Sequence, residues 1–469
     1  MRKIIFKEWF FLFWGLVIIL VDLFVLKTPP TLRRINLLEG YIFQGLIFIA
    51  GLFLIVFSLV SISKKEHLFS QPKIKQFLTN LRVLFLSILF CLIFLEVFLQ
   101  LTAPEGCGQD DAILHHSYQP NCSVNSKSAE WNIDVKINSD SFRDEEIQPK
   151  QNYDYRILML GDSFTVGWGI EQGQTFSDLL EIKFNQKQLK VDVINGGATS
   201  YSPILGYLFL KDKSVQYDSD LIILNFDLSD FQNDYSYQKL ARYDVSGKII
   251  GVTPERDNFL KSIYLNVKLI KFLESPFVVL DSKFPTKKLW GKKYFYNIDY
   301  DRYALTRSDV PEEIMDKYTE TSFKYLKLIQ QLASEKNITF ILVAYPYGHQ
   351  VSGEEWAKGR HNYGFEQGKV YSDLPERLLA QFAAENNIQF IGLYPEFKES
   401  GQFPLFYPYD GHLTPAGHQL YADSLYAKLL EKGILKDIST KKKSLTKVLQ
   451  EKAVNPLFIG EVYANLQKD

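Results

Sequence analysis

The sequence predicts an α/β domain, a parallel sheet covered by helices on both faces, preceded by three membrane-spanning helices. Three observations predict it. Short apolar runs at 156–160, 191–194, 220–226, 338–345 and 388–393 alternate with longer amphipathic stretches, the pattern of strands joined by helical crossovers. Three longer apolar runs, Trp9 to Leu26, Tyr41 to Ser63 and Val83 to Leu101, come before them. Each is close to the ~20 residues with which a helix crosses a bilayer. Finally, the turn Gly161-Asp162-Ser163 follows the first strand run directly and precedes Thr175 to Leu189, whose apolar spacing suits a helix.

The spans fix an expected topology. Arg2, Lys3 and Lys7 precede the first span, and Lys64, Lys65, Lys73, Lys75 and Arg82 lie between the second and third. Lys27, Arg33 and Arg34 lie between the first and second. This bias favours an inside N-terminus and places everything after Leu101 outside. Leu26-Lys27-Thr28-Pro29-Pro30 offers no small-x-small cleavage site, so the first span reads as an uncleaved anchor. Asp22 and Glu96 fall beyond the midplane toward the outer side, where a carboxyl is expected to be protonated or to reach water. Residues 1–104 are therefore the anchor, with spans at about 9–26, 41–63 and 83–101.

Composition sets limits. With 46% hydrophobic and 15% aromatic residues the chain can bury a large core. Its formal charge of -1 gives no reason to expect nucleic acid as a partner. Of three cysteines, Cys91 lies in the third span. Cys107 and Cys122 lie just beyond it, on the side where a disulfide is permitted, with two free thiols as the alternative. No Cys/His arrangement has the spacing of a zinc site, and His115-His116 alone is weak evidence, so no metal and no cofactor are expected.

Residues 105–150 read as a polar neck with one alternating strand-like stretch, Trp131 to Ile137. The domain itself spans 151–435 and carries an insertion at about 235–312. Within it Phe259 to Leu273 has helical spacing, and Lys287 to Tyr303 gathers aromatic residues among lysines. A packed lid or subdomain is the plain expectation, a surface for glycan or lipid headgroups the sharper one. Residues 436–469, with Lys441-Lys442-Lys443, read as a basic, solvated extension.

The chemistry lies at strand ends, where open α/β sheets bind ligands. A serine at a strand-to-helix turn meets unpaired backbone N–H groups and the helix dipole, which stabilise a developing oxyanion. Downstream, Asp410-Gly411-His412 supplies an acid and an imidazole two residues apart. A serine hydroxyl needs such a base to become nucleophilic, and the carboxylate orients and charges the imidazole.

Four blocks in chain order, Gly161-Asp162-Ser163, Asn195-Gly196-Gly197, Asn225-Phe226-Asp227-Leu228-Ser229-Asp230 and Asp410-Gly411-His412, resemble the SGNH/GDSL hydrolase family. Over roughly residues 150–435 the resemblance implies a three-layer α/β/α fold with a five-stranded parallel sheet. It implies Ser163 as nucleophile, His412 as base and Asp410 as the orienting acid. It also implies an oxyanion hole of the Ser163 and Gly197 backbone N–H groups and an asparagine side chain. Here the third block departs from the family's Gly-x-Asn-Asp, leaving Ser229 at the asparagine position and Asn225 four residues earlier. Asn138 to Arg143, together with Gly161 to Gly169 and the anchor, is similar to membrane-anchored members, some related to exopolysaccharide O-acetyltransferases. Asp162 is expected to brace the turn, and His349 and His418 to be structural or peripheral.

The expected activity is that of an extracytoplasmic serine esterase acting on an acyl, in particular acetyl, ester of a cell-envelope glycan or lipid-linked sugar. O-acyl transfer to a polysaccharide through the same triad is the first alternative. A catalytically silent glycan-binding or assembly protein is the second. The three spans also admit a membrane protein partner, and two intramembrane acids are too few for a transport path.

Overall fold

The computed structural model describes residues 72–102, 106–187, 189–254, 301–307, 310–434, 436 and 438. These fall into two compact units, one containing the helix α1 (Pro72–Thr102), the other the described residues from 106 onward.

The third expected span lies inside α1, a 31-residue helix. Val83, Leu84, Leu86, Phe90, Ile93, Phe94, Val97, Phe98 and Leu101 are exposed on it. Glu96 accepts from Gln100 Nε2 one turn on at 2.6 Å. Counted over the described residues alone, no helix is long and apolar enough to cross a membrane. The first two spans, most of the insertion from 255 to 300, and all but two residues of the C-terminal extension lie outside the described residues.

In the second unit the chain runs through β1 (Gly108–Asp111), β2 (His115–Tyr118), β3 (Ser123–Lys127) and β4 (Asn132–Lys136) before entering the main sheet at β5 (Tyr155–Leu160). There follow α2 (Ser163–Val166), α3 (Phe176–Asn185), β6 (Val191–Asn195), α4 (Pro203–Asp212), β7 (Leu221–Phe226) and α5 (Asp230–Leu240). A small antiparallel pair comes next, β8 (Ala241–Tyr243) with β9 (Ile249–Val252). Then come α6 (Glu312–Glu335), β10 (Thr339–Ala344), α7 (Gly348–Val351), α8 (Leu374–Glu385), β11 (Gln389–Gly392), α9 (Tyr394–Glu399) and α10 (Pro415–Glu431).

Five strands form one sheet in the order β11-β10-β7-β5-β6, every pair parallel. Register runs Ile157 opposite Leu221 and Leu221 opposite Thr339. All residues of β5, β6 and β7 are buried, as a sheet covered on both faces requires. On one side α3 packs on α10, with Phe176 stacked on Tyr421 at 4.0 Å; elsewhere α4, α5 and α6 pack together. The five apolar runs of the sequence are these five strands.

The neck is more structured than one exposed strand. It forms two antiparallel hairpins, β1–β2 and β3–β4, and Cys107 is bridged to Cys122 between them. Both hairpins reach the loops at the carboxyl ends of the sheet strands. Tyr118 accepts from the Thr199 amide at 3.2 Å, and Tyr201 donates to His116 O at 2.8 Å.

Candidate active site

Ser163 begins α2 where β5 ends. Asp162 caps that helix by accepting the Phe164 amide at 2.9 Å. Four residues later Gly167 ends it in the left-handed region, φ 79°. Arg143, buried in the neck, donates to the carbonyls of Val166 (3.2 Å), Gly167 and Ile170. A guanidinium therefore satisfies the carbonyls that a helix end leaves unpaired. The upstream Asn138 to Arg143 segment thus anchors the serine turn, and Asn138 itself accepts the Phe142 amide at 2.9 Å.

Ser163 Oγ lies 2.7 Å from His412 Nε2, and His412 Nδ1 meets Asp410 Oδ1. The two halves come together from positions 249 residues apart. His412 and Asp410 keep 21% and 26% of their side-chain surface, so the arrangement is reachable from solvent. The loop that carries them is fixed from the core side. Pro408 O accepts the amides of Lys358 and Gly359 at 2.9 Å each, and Trp356 Nε1 donates to Tyr409 O at 3.2 Å. Gly411 has φ 92°, and a Cβ there would sit 2.6 Å from Trp356 Nε1, so this position requires glycine.

Aromatic rings flank the imidazole. Phe164 lies at 4.6 Å between centroids and Trp168 at 6.3 Å. Trp168 is 41% exposed and meets Trp131 of the neck edge-on at 6.4 Å. Trp131 in turn packs on Tyr407 at 5.1 Å.

The expected oxyanion donors divide. The N–H of Ser163 lies in the first turn of a helix, where no intrahelical acceptor exists. Gly197 packs directly under α2, where a Cβ would come within 2.5 Å of Val166 N, and its N–H donates to Asn195 Oδ1 at 3.2 Å. Asn225 is fully buried. Its Nδ2 donates to Leu160 O at 3.0 Å and its Oδ1 accepts from Tyr421 at 2.5 Å. Both ends of the amide are thus used inside the core. Ser229 is buried ahead of α5, and its N–H donates to Asp227 Oδ1 at 2.8 Å.

Behind the serine lies a buried group of acids, one of them the Asp162 that braces the turn. Asp162, Asp227 and Asp230 are buried together. Burial first, and then the Asp227 charge, push the Asp162 carboxyl well above the usual carboxylate range. Burial likewise raises Asp227, against hydrogen bonds from the Ser229 amide and the Tyr347 hydroxyl that lower it. Tyr347 donates to both Asp227 oxygens, at 2.9 and 2.7 Å. Carboxyls so placed share protons and do not all carry charge. Asp227 and Asp230 are marked in the sequence by the third block, where they bracket Leu228 and Ser229, and Asp162 by the first.

His418 and His349 are buried in the core. His418 Nδ1 accepts the Phe176 amide at 2.9 Å, which requires a neutral ring, and burial pulls its pKa down to about 3. His349 is fully buried, stacked on Phe365 at 4.1 Å. His115 and His116 contact each other at 3.0 Å, and no group of three metal-ligating residues occurs among the described residues.

No protein-family model matches the chain, and no curated protein matches it. Solved structures do resemble it. One is a catalytic mutant of an acetylxylan esterase from Geobacillus stearothermophilus, 14% identical, covering 60% of this chain and 96% of that one, TM-score 0.33. Another is a lipase/acylhydrolase from Enterococcus faecalis, 14% identical, covering 59% and 96%, TM-score 0.32. A third, described as lipolytic and of the G-D-S-L family, comes from Desulfitobacterium hafniense, 13% identical, covering 58% and 98%, TM-score 0.31. At that level of likeness any assignment of function rests on the chain's own geometry.

Proposed function

We propose that the chain is a membrane-anchored serine esterase of the SGNH/GDSL kind, facing the extracytoplasmic side and removing an acyl group, acetyl in particular, from a cell-envelope glycan or lipid-linked sugar. One observation carries it: Ser163 Oγ at 2.7 Å from His412 Nε2, with Asp410 on the other ring nitrogen. In this reading His412 takes the Ser163 proton as Oγ bonds to the ester carbonyl carbon. The oxyanion is held by the N–H of Ser163, and the Gly197 N–H joins it by exchanging its bond to Asn195 Oδ1. His412 then returns the proton to the departing sugar oxygen, and water attacks the acyl-serine by the same route in reverse. Asp410 holds the imidazole and stabilises its charged form.

The glycan is supported by Trp168, an exposed indole beside the base, whose face suits the apolar face of a sugar ring. The anchor is supported by the run Val83 to Leu101, which carries one acid, Glu96, and by the exposed apolar residues of α1. The bridge between Cys107 and Cys122 supports an oxidising compartment.

Transfer to a sugar hydroxyl is the second reading, since the same indole offers an acceptor ring a place beside the base. It needs no other residue. A serine-directed fluorophosphonate tests the reading: the parent protein should label and Ser163→Ala should not. An unlabelled, well-folded parent would leave binding or assembly as the role. With an acyl donor supplied, product that forms only when a glycan acceptor is present would assign transfer.

A further inference from the structure

The catalytic loop has a second anchor, and it comes from the neck. Glu130 Oε1 accepts the Tyr409 amide at 2.9 Å and Oε2 accepts the Asp410 amide at 2.8 Å, across 280 residues of chain. Both oxygens of one carboxylate are thus used on the two peptide groups that lead into the triad acid. Among the described residues no cation pairs with Glu130, so the two amides are its partners. Charge-assisted bonds of this kind are about twice as strong as neutral ones and fix direction as well as distance.

The carboxylate is itself held. Glu130 sits in the tight turn at the tip of the β3–β4 hairpin, where Ser128 Oγ accepts the amides of Glu130 at 3.0 Å and Trp131 at 3.1 Å. Ser128 N donates to Trp131 O at 2.9 Å. The next residue, Trp131, covers the same loop by packing on Tyr407, whose hydroxyl donates to Gly169 O at 3.0 Å. Trp356, Lys358 and Gly359 hold the loop from the core and Glu130 holds it from the neck. Glu355 accepts the Leu405 and Phe406 amides, the Tyr407 amide donates to His412 O and the Gly411 amide to Tyr407 O, and the Asp410 amide is left to Glu130.

We propose that Glu130 is a positioning residue: the neck hairpin clamps the Tyr409-Asp410 peptide pair and thereby sets where Asp410 meets His412. This rests on the catalytic reading for its effect on turnover, while the clamp itself can be read without it. Misplacing a catalytic group by about 1 Å can cost on the order of a hundredfold in rate.

The test compares the full chain with Glu130→Ala and Glu130→Gln. Turnover of 4-nitrophenyl acetate and the rate of fluorophosphonate labelling are measured beside amide hydrogen exchange over residues 405–413. Glu130→Ala should lower kcat by about tenfold to a hundredfold with KM little changed, and should speed exchange in that loop without speeding it in α10. Glu130→Gln keeps one acceptor oxygen and should fall between. Unchanged exchange in the loop overturns the clamp, and faster exchange with unchanged kcat overturns its role in positioning. If the parent neither labels nor turns over, the catalytic reading fails, and the exchange comparison still decides the clamp.

Discussion

Both ends of the Asn225 amide are used inside the core, with Leu160 and Tyr421 as partners, and this separates two roles that the third block leaves open. Asn225→Ala would strand the Leu160 carbonyl and the Tyr421 hydroxyl in a fully buried place, each costing about 1–3 kcal/mol. The expected outcome is a clear fall in melting temperature, with kcat on 4-nitrophenyl acetate within about tenfold of the parent in the folded fraction. A loss of kcat of a hundredfold or more at unchanged melting temperature would instead make Asn225 an oxyanion donor. The residues that were legible in the sequence share one property: their chemistry is written locally. Ser163 follows an apolar strand within three residues, and Asp410 stands two residues from His412. Asn225 looked available because its partners, Leu160 and Tyr421, lie 65 and 196 residues away. Glu130 and Arg143 were illegible as site residues for the same reason.

At the scale of elements, the five strands were legible because β5, β7 and β10 are buried along nearly their whole length, which makes a continuous apolar run. Of the neck hairpins only β4 was, inside the alternating stretch Trp131 to Ile137. β1 and β2 have no buried residue and β3 alternates between exposed and half-buried, so Gly108–Asp111 carries no apolar pattern at all. Between helices, one contact carries a pH dependence. Asp234 on α5 is fully buried and accepts the Ile204 amide at 2.9 Å at the start of α4. Burial pushes its carboxyl up to about 7, against hydrogen bonds that lower it. A carboxyl raised in the folded state holds a proton that the unfolded chain releases near 3.8, so its contribution is complete below that value. It is then lost as pH rises toward 7, at up to about 1.4 kcal/mol per pH unit. Asp234→Asn, which keeps an acceptor and cannot ionise, should flatten the fall in melting temperature between pH 4 and 7 relative to the parent. An identical slope in both proteins would show that Asp234 keeps its ordinary titration.

For the whole molecule, the neck is where the disulfide meets the segments that hold Ser163 and the Asp410 loop. The Cys107–Cys122 bridge closes a separation of 15 residues around the β1–β2 hairpin, and in the chain-entropy account a loop of that length contributes about 3 kcal/mol. Downstream of the bridge, the Ile137 amide donates to Cys122 O at 2.8 Å, and the Asn121 amide donates to Asn138 O at 3.1 Å. The bridge therefore ties the first hairpin to the strand that leads from Trp131 toward Arg143. Those residues are the ones that hold the serine turn and, through Glu130, the acid's loop. If residues after Leu101 face outward, the bridge forms as the neck emerges, and it is absent from protein made in a reducing compartment. On intact cells, a membrane-impermeant maleimide should add to Cys107 and Cys122 only after reduction, and labelling confined to lysed cells would place the neck inside. Reduction, or the paired change of Cys107 and Cys122 to Ser, should loosen the neck before it touches the sheet. The fluorophosphonate labelling rate should then fall at temperatures where β5, β7 and β10 still resist hydrogen exchange. Loss of labelling only together with the sheet would show that the bridge stabilises the fold as a whole and that the neck has no separate hold on the site.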